Sequence, residues 1–480
     1  MSLQNRIPGH LRRTATYLAT IVVTQAVAFL LLPVITRFLG PEAYGTYALA
    51  LAVGNLLAMF GTSWIRNVGF RLYYDAVEAG STRAFYLTVV LVQGVIVAVL
   101  FTGAALISAL LPDPWLPVGT LLAAGVMMLA GDLLAMSVGV LRAEQRSGSF
   151  AFAEGSAALA RFGGTLAGLL LGARSPEFLF LAAAAASTIG AVMAIASMRN
   201  VLVGPAGFQP EVLAELGRRL LSAMPFSVGE WLHTAADRIV LEVFTTRTVL
   251  GVYAAGHALG DRLVGSLVMA VFMMSWPDTL AAWNRGGTAA ARVAVHRQLT
   301  LFLWLTVGPL AILVVHAASV VQLLGGGFQE AVRVIPWVAT ASWVRGLGNG
   351  FNRHFELQKR YWTMSAMTLG GAAVNVSLNL YLVPRHGAVG AAVATLIAQS
   401  VVTLAFVVTR DRDLVDFPFL DAGLVLGVTV MLAALTWWWL GPTIAGMLVL
   451  ALSYAVVTVA VWVMRLRHAP QPVEAPHDVA

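Results

Sequence analysis

The chain alternates long apolar runs with short polar stretches. Runs long enough to cross roughly 30 Å of hydrocarbon fall near 15–37, 46–65, 84–110, 116–140, 151–172, 176–197 and 219–241. A second set falls near 249–275, 299–324, 332–352, 362–383, 387–409, 418–440 and 443–464. The pattern predicts fourteen transmembrane helices. The first run, from about Tyr17 to Leu39, follows Arg6, Arg12 and Arg13; it is too long for a signal peptide and lacks a cleavage site, so it reads as a retained span. No polar stretch exceeds roughly 25 residues, which leaves no room for a folded soluble catalytic domain. The stretch 277–298 sets Leu280, Trp283, Val293 and Val295 among Arg285, Arg292 and Arg297. It reads either as an interfacial helix on the cytoplasmic face or as an ordinary basic loop.

Composition agrees with this reading. Of 480 residues 59% are hydrophobic and 11% charged, against about 45–50% and 25% in soluble domains. The net charge of +7 could suggest a nucleic-acid partner, but the basic residues are dispersed singly between apolar runs with no Lys/Arg block, so nucleic acid is excluded. The charge instead reports topology. With the N-terminus cytoplasmic, Lys and Arg outside the spans favour the cytoplasmic side by about four to one, the outer minority being Arg37, Arg174, Arg247, Arg333 and Arg385. An even number of spans returns the C-terminus to the same side, and the tail after 465 is expected to be disordered. Cysteine is absent, which excludes disulfides, thiolate metal sites and a cysteine nucleophile.

An internal repeat appears at an offset of 206. Gly45, Tyr47, Ala48, Ala52, Gly54 and Leu57 in the second span recur as Gly251, Tyr253, Ala254, Ala258, Gly260 and Leu263 in the eighth. Both spans run inward from the outer face, so the halves are parallel repeats. The division is a six-helix bundle at 1–205, a second at 206–410, two additional transmembrane helices at 411–465 and a cytoplasmic tail at 466–480.

Three stretches carry a family resemblance. They are Thr36 to Tyr47 after the first span; Asp237-Arg238-Ile239-Val240 leading to Gly251-Val252-Tyr253-Ala254-Ala255; and Asn375 to Asn379 with Leu382-Val383-Pro384 and Gly387 to Ala392. Here the chain resembles the Wzx-type polysaccharide flippases of the multidrug/oligosaccharidyl-lipid/polysaccharide (MOP) exporter superfamily. The resemblance implies an all-α polytopic membrane protein with two six-helix bundles around a central cavity, and alternating access. It also implies a polyprenyl-pyrophosphate-linked oligosaccharide as substrate, the bacterial cytoplasmic membrane as location, and polysaccharide-assembly proteins as partners.

Charges inside the spans point to the same kind of cavity. A charged side chain at mid-bilayer costs about 2.5–3.5 kcal/mol on insertion scales, so such residues face a partner or a water-filled interior. Span seven carries Glu230, His233 and Asp237 on one helix face above Pro225, and span eight carries His257, Asp261 and Arg262. Spans four and five carry Asp132, Glu154 and Arg161, span ten carries Arg345 with Asn349 and Asn352, and span two ends with Arg66. Arg66, Arg161, Arg262 and Arg345 form a candidate basic cavity, since guanidinium groups stay charged and grip phosphate oxygens in pairs. Arg262 and Arg345 have no obvious partner. The competing reading makes Asp132 with Arg161, and Asp237 or Glu242 with Arg238, ion pairs that hold helices together.

Glu230, His233, Asp237, Arg238, His257 and Asp261 are candidates for gating or for proton or sodium coupling; no cofactor is called for. No compact ligand motif supports a metal site. Gly164, Gly168 and Gly172 suggest close helix packing, Asn375 and Asn379 hydrogen bonds between helices, and Trp437 to Trp439 an aromatic belt.

The leading reading is a flippase, which breaks no bond and is not an enzyme. A cation-coupled multidrug exporter of the same superfamily is the nearest rival, and it would want a less cationic, more acidic and aromatic cavity. A membrane saccharide polymerase or glycosyltransferase is the rival from another class, and it would want a large extramembrane loop or an interfacial carboxylate motif that the chain lacks.

Overall fold

Residues 9–112, 114–218, 231–232 and 235–467 are described by the structure, a computed structural model, with Arg66 and some other helical positions described by backbone alone. Pro225, Glu230, His233 and the tail at 468–480 lie outside the described residues. Among the described residues every regular element is helical. In chain order they are α1 (Gly9–Phe38), α2 (Pro41–Gly61), α3 (Ser63–Glu78), α4 (Thr82–Leu110), α5 (Val118–Ala143), α6 (Ser147–Leu170) and α7 (Pro176–Ser197). There follow α8 (Ala236–Phe244), α9 (Arg247–Val315), α10 (Ala317–Val321), α11 (Ile335–Phe351), α12 (Arg353–Leu357), α13 (Tyr361–Val408), α14 (Phe419–Leu440) and α15 (Ile444–Arg467).

Helix starts are written locally. Gly40 is extended and Pro41 opens α2 with Glu42 in the first turn, where proline lacks only an unused N–H and a carboxylate meets the helix dipole. Ser175 caps α7 by accepting from the Phe178 amide at 3.2 Å, again with proline next.

Among the described residues nine helices are long and apolar enough to cross a membrane. Two of them, α9 with 69 residues and α13 with 48, each hold two spans joined at a bend. The bends sit at Gly287 (φ 60°, ψ −148°) and Gly387 (φ 54°, ψ −132°), a region of backbone space that suits glycine because it has no Cβ. The nine thus supply eleven spans; the expected fifth and tenth fall on α6 and α11, which are helical but not among the nine, and the seventh is described only at its end.

Two expectations change. The stretch 277–298 is helical and not a loop. Apart from Gly287 it continues the two limbs of α9, because alanine and arginine propagate helix and Gly286-Gly287 is its only break after Pro277. Span two does not run on to Arg66. At Thr62 (φ −124°, ψ −22°) the chain bends and resumes as α3, which carries Arg66.

In the first half α5 and α6 pack on α7, α6 on α1, and α4 on α5; in the second, α9 packs on α11 and α11 on α13. The halves meet chiefly where α2 crosses α9, at the two glycines of the repeat. A Cβ on Gly45 would lie 2.1 Å from the Arg247 carbonyl oxygen, and one on Gly251 would lie 1.8 Å from the Pro41 oxygen. Rings close the crossing, with Tyr44 edge-on to Phe328 at 6.0 Å and Tyr47 against Phe180 at 4.9 Å. Arg247 ties it further, pairing with Glu242 and donating to the Trp115 carbonyl and, at 3.4 Å, to Thr46 Oγ1. One end of the molecule is sealed there.

The last two helices dock on the second limb of α9. Asp421 accepts from Trp304 Nε1 at 3.1 Å and pairs with Arg465, while Tyr454 donates to the Trp304 carbonyl at 2.8 Å. Trp438 and Trp439 project from the end of α14, 86% and 80% exposed, as an aromatic belt requires. Of Gly164, Gly168 and Gly172, only Gly168 meets a neighbour, the Phe178 ring; Gly164 and Gly172 have nothing within 4 Å of an added Cβ.

Gly251→Ala is therefore expected to destabilise the protein by about 1–3 kcal/mol, the usual cost of forcing extra volume into a packed contact. Thermal unfolding in detergent measures this. Gly164→Ala, in open space inside a helix, is expected to leave the midpoint unchanged or raise it. Equal midpoints for the two variants would show that the crossing does not hold the halves together.

Candidate functional site

Beyond the sealed end, α9 carries Tyr253, His257 and Asp261 at four-residue spacing, hence on one face. α11 answers with Ser342, Arg345 and Asn349, again on one face. Where the two faces meet, Asp261 Oδ1 accepts from Arg345 Nη2 at 2.6 Å and from Ser342 Oγ at 2.6 Å. Gly265 lies one turn further on, and a Cβ there would sit 3.3 Å from Asp261 Oδ1, so a hydrogen at this position keeps the pair accessible. Both partners remain about one-third exposed (37% and 31%), so water screens the pair and it adds little stability.

Arg262, next to Asp261, points a quarter-turn away toward the first half. It donates through Nη1 to the Ala28 carbonyl of α1 at 2.8 Å. Among the described residues it has no carboxylate partner. Arg238 pairs with its neighbour Asp237 at 3.3 Å.

These side chains line connected cavities. A chamber of about 200 Å³ is bounded by Arg238, His257, Asp261, Arg262, Arg345 and Gln399, among others. A side pocket of about 170 Å³ adds Tyr44, Tyr47 and Asn55 from α2 and shares Arg238 and Arg262. A vestibule of about 930 Å³ shares Asp261, Arg262 and Arg345 and opens away from the sealed end, past Phe272, Trp276, Asn349, Arg353 and Glu356. Arg353 is clamped in its wall, paired with Glu356 and stacked 4.9 Å from the Phe272 ring and 4.8 Å from the Trp276 ring. Four arginines thus face the connected space against two carboxylates, Asp261 and Glu356, each already paired.

Of the four candidate arginines, Arg262 and Arg345 come together. Arg161 lines a separate cavity of about 120 Å³ with Glu154, Thr24 and Ser187, on the other side of Ala28. Arg66 lies on α3, beyond the bend at Thr62, and its side chain is not described. Arg345 does have a partner, Asp261, which the sequence could not pair because 84 residues separate them.

Among the coupling candidates, His257 and Asp261 line the chamber, and Glu230 and His233 lie outside the described residues. Asp237 and Arg238 pair within one helix; the link between helices is the Tyr253 hydroxyl donating to Asp237. Glu242 pairs with Arg247 instead. Asp132 faces a different cavity from Arg161. Asn379 bonds Asn375 at 2.9 Å within α13 rather than across helices. Sequence reasoning missed Arg353, although 345, 349 and 353 share one helical face, because it follows the end of the apolar run.

Helices long and apolar enough to cross a membrane, around cavities with a basic lining, mark a multi-pass membrane protein whose described regular elements are all helical. The profile of the family described as polysaccharide biosynthesis protein matches residues 11–277. This covers more than half of the chain, which therefore belongs to that family. Among solved structures, a lipid II flippase MurJ in an inward closed conformation matches with a TM-score of 0.74 at 13% identity, covering 95% of this chain and 100% of that one. An inward-facing multidrug resistance transporter of the MATE family in the MOP superfamily matches at 0.63 and 12% identity, covering 80% and 92%. An outward-facing one matches at 0.52 and 16% identity, covering 82% and 92%. At these identities the likeness is one of fold. No curated protein sequence matches the chain.

The vestibule wall offers a pH test. His354, beside Arg353 on α12, is wholly buried and meets the Phe351 carbonyl at 2.9 Å. Burial pushes its imidazole below the ordinary value of 6.5. The unfolded chain then binds the proton more readily, so the stabilising contribution is complete above pH 6.5 and is lost as pH falls below it. The unfolding midpoint is expected to drop as pH falls below about 6.5, and His354→Gln is expected to flatten that drop. An unchanged slope in the variant would contradict the assignment.

Proposed function

We propose that the chain is a flippase that carries a polyprenyl-pyrophosphate-linked oligosaccharide across the bacterial cytoplasmic membrane by alternating access, for cell-surface polysaccharide synthesis. Arg262 carries this reading: a guanidinium on connected cavities that meets only a backbone carbonyl among the described residues. A pyrophosphate offers charge-assisted, paired hydrogen bonds that a carbonyl cannot match. Arg238, Arg345 and Arg353 extend the favourable potential, and the vestibule has room for sugar residues while the lipid tail stays in the bilayer.

The charge bias of the loops supports an orientation with both termini cytoplasmic. The sealed crossing of α2 and α9 then faces outward and the vestibule opens to the cytoplasm, which suits loading from the inner leaflet. The halves 1–205 and 206–410 rock about that crossing, and the helices at 411–465 travel with the second. A cation-selective drug exporter fits less well, because the two carboxylates on the connected cavities are both held by arginines.

Complementation of a flippase-deficient strain tests the reading. Arg262→Gln and Arg345→Gln, compared at equal membrane abundance, are each expected to cut surface saccharide at least about tenfold, equivalent to about 1.4 kcal/mol of lost binding. Arg262→Lys is expected to recover part of it, since the charge stays but the paired geometry goes. Normal export by both glutamine variants would overturn the assignment of the basic chamber.

A further inference from the structure

Outward from the arginine chamber the vestibule wall changes character. Arg345, Asn349 and Arg353 follow one another at four-residue spacing on one face of α11 and α12. Each step along that face is about 6 Å, comparable to one pyranose unit of a saccharide chain. The first step reaches Asn349, whose amide lines the vestibule and makes no hydrogen bond to another described residue. The second reaches Arg353, where Trp276 of α9 and Tyr361 at the start of α13 share the wall. Trp276 is held by the Arg353 guanidinium 4.8 Å from its ring, and Tyr361 is 53% exposed.

Charge differs between the two levels. In the chamber Arg262 meets only a backbone carbonyl among the described residues, so an anion there competes with no carboxylate. At the outer step Arg353 and Glu356 neutralise one another, with side chains only 9% and 23% exposed. An acidic sugar would have to draw Arg353 from Glu356, and an amino sugar would have to draw Glu356 from Arg353; parting a pair so enclosed leaves one charge uncompensated. What remains to meet a ligand is an amide, a phenol hydroxyl and aromatic rings. An amide both donates and accepts, as sugar hydroxyls do, and apolar rings with a few fixed polar groups are the usual lining of a specific pocket.

Resting on the flippase reading, we infer that Asn349, Trp276 and Tyr361 form a subsite for the two sugars nearest the pyrophosphate, and that these sugars are neutral pyranoses. Asn349 hydrogen-bonds the first, and Trp276 and Tyr361 pack against the ring of the second. The Arg353–Glu356 pair rejects charged sugars at the outer step, which is selection by an unfavourable alternative. The order of groups from the chamber outward, two guanidiniums, then an amide, then aromatic rings, matches the order of pyrophosphate, first sugar and second sugar along the cargo.

Dissociation constants measured on the purified full-length protein in detergent test this with three probes. They are farnesyl pyrophosphate, its conjugate with a disaccharide of two N-acetylhexosamines, and a conjugate whose outer sugar is a hexuronic acid. The neutral conjugate is expected to bind about tenfold more tightly than farnesyl pyrophosphate, and the acidic one to lose most of that gain. Asn349→Leu and Tyr361→Ala are each expected to remove most of the gain of the neutral conjugate. Glu356→Gln, which leaves the Arg353 charge uncompensated, is expected to tighten the acidic conjugate at least about fivefold, an increase that misfolding cannot produce. Equal binding of the two conjugates by the wild type, a full gain in both Asn349→Leu and Tyr361→Ala, or no tightening in Glu356→Gln overturns the subsite while leaving the arginine chamber in place. If farnesyl pyrophosphate does not bind, or binds Arg262→Gln as it does the wild type, the flippase reading fails and the subsite falls with it.

Discussion

The crossing of α2 and α9 is the contact on which the rest of the structure hangs. Two helices approach until backbone meets backbone only if neither presents a Cβ at the point of contact, and Gly45 and Gly251 provide this reciprocally. The sealed end, the ring stack of Tyr44, Tyr47, Phe180 and Phe328, and the bridges from Arg247 all gather around it. Because α9 is straight from there, its polar face emerges about 16 Å further on, where Asp261 and Arg262 look out between the halves. A closed end and a charged interior are thus two consequences of one helix path.

Hydrocarbon imposes the second constraint. Intramembrane charges must be paired or face water, and the structure uses both solutions side by side. Asp261 and Arg345 neutralise one another from facing helices, whereas Arg262 meets only the α1 carbonyl of Ala28 and keeps its charge for the cavity. That contact also reaches from the second half to the first. On the proposed function, drawing Arg262 toward an anion would release α1, so that binding and a relative movement of the halves would share this contact. The Asp421 cluster solves a different problem with the same chemistry, fixing α14 and α15 to α9 through Trp304, Arg465 and Tyr454.

The chain belongs to the polysaccharide biosynthesis protein family and shares its fold with MurJ and MATE transporters. Within that frame the two halves have diverged. The second gathers the arginines around its α9 and α11 faces, while the first keeps an apolar-walled cavity with an amide and an acid at mid-depth.

Much of this was legible in the residues. Span number and position, the wholly helical class and the related Gly45 and Gly251 follow from local pattern, because a bilayer forces every spanning backbone to satisfy itself within its own helix. The breaks at Thr62 and Gly287 were less legible, since a bend inside an otherwise helical stretch depends on neighbours. Of the residues lining the chamber, composition and depth picked out Arg262, Arg345, His257 and Asp261. That Asp261 takes Arg345, that Arg161 lies across α1 in its own cavity, and that Arg353 joins the vestibule wall were decided only by tertiary packing. A helix shows its chemistry to a reader of the sequence, but which face meets which depends on how the helices rotate and cross, and that is set by contacts between residues tens to hundreds of positions apart.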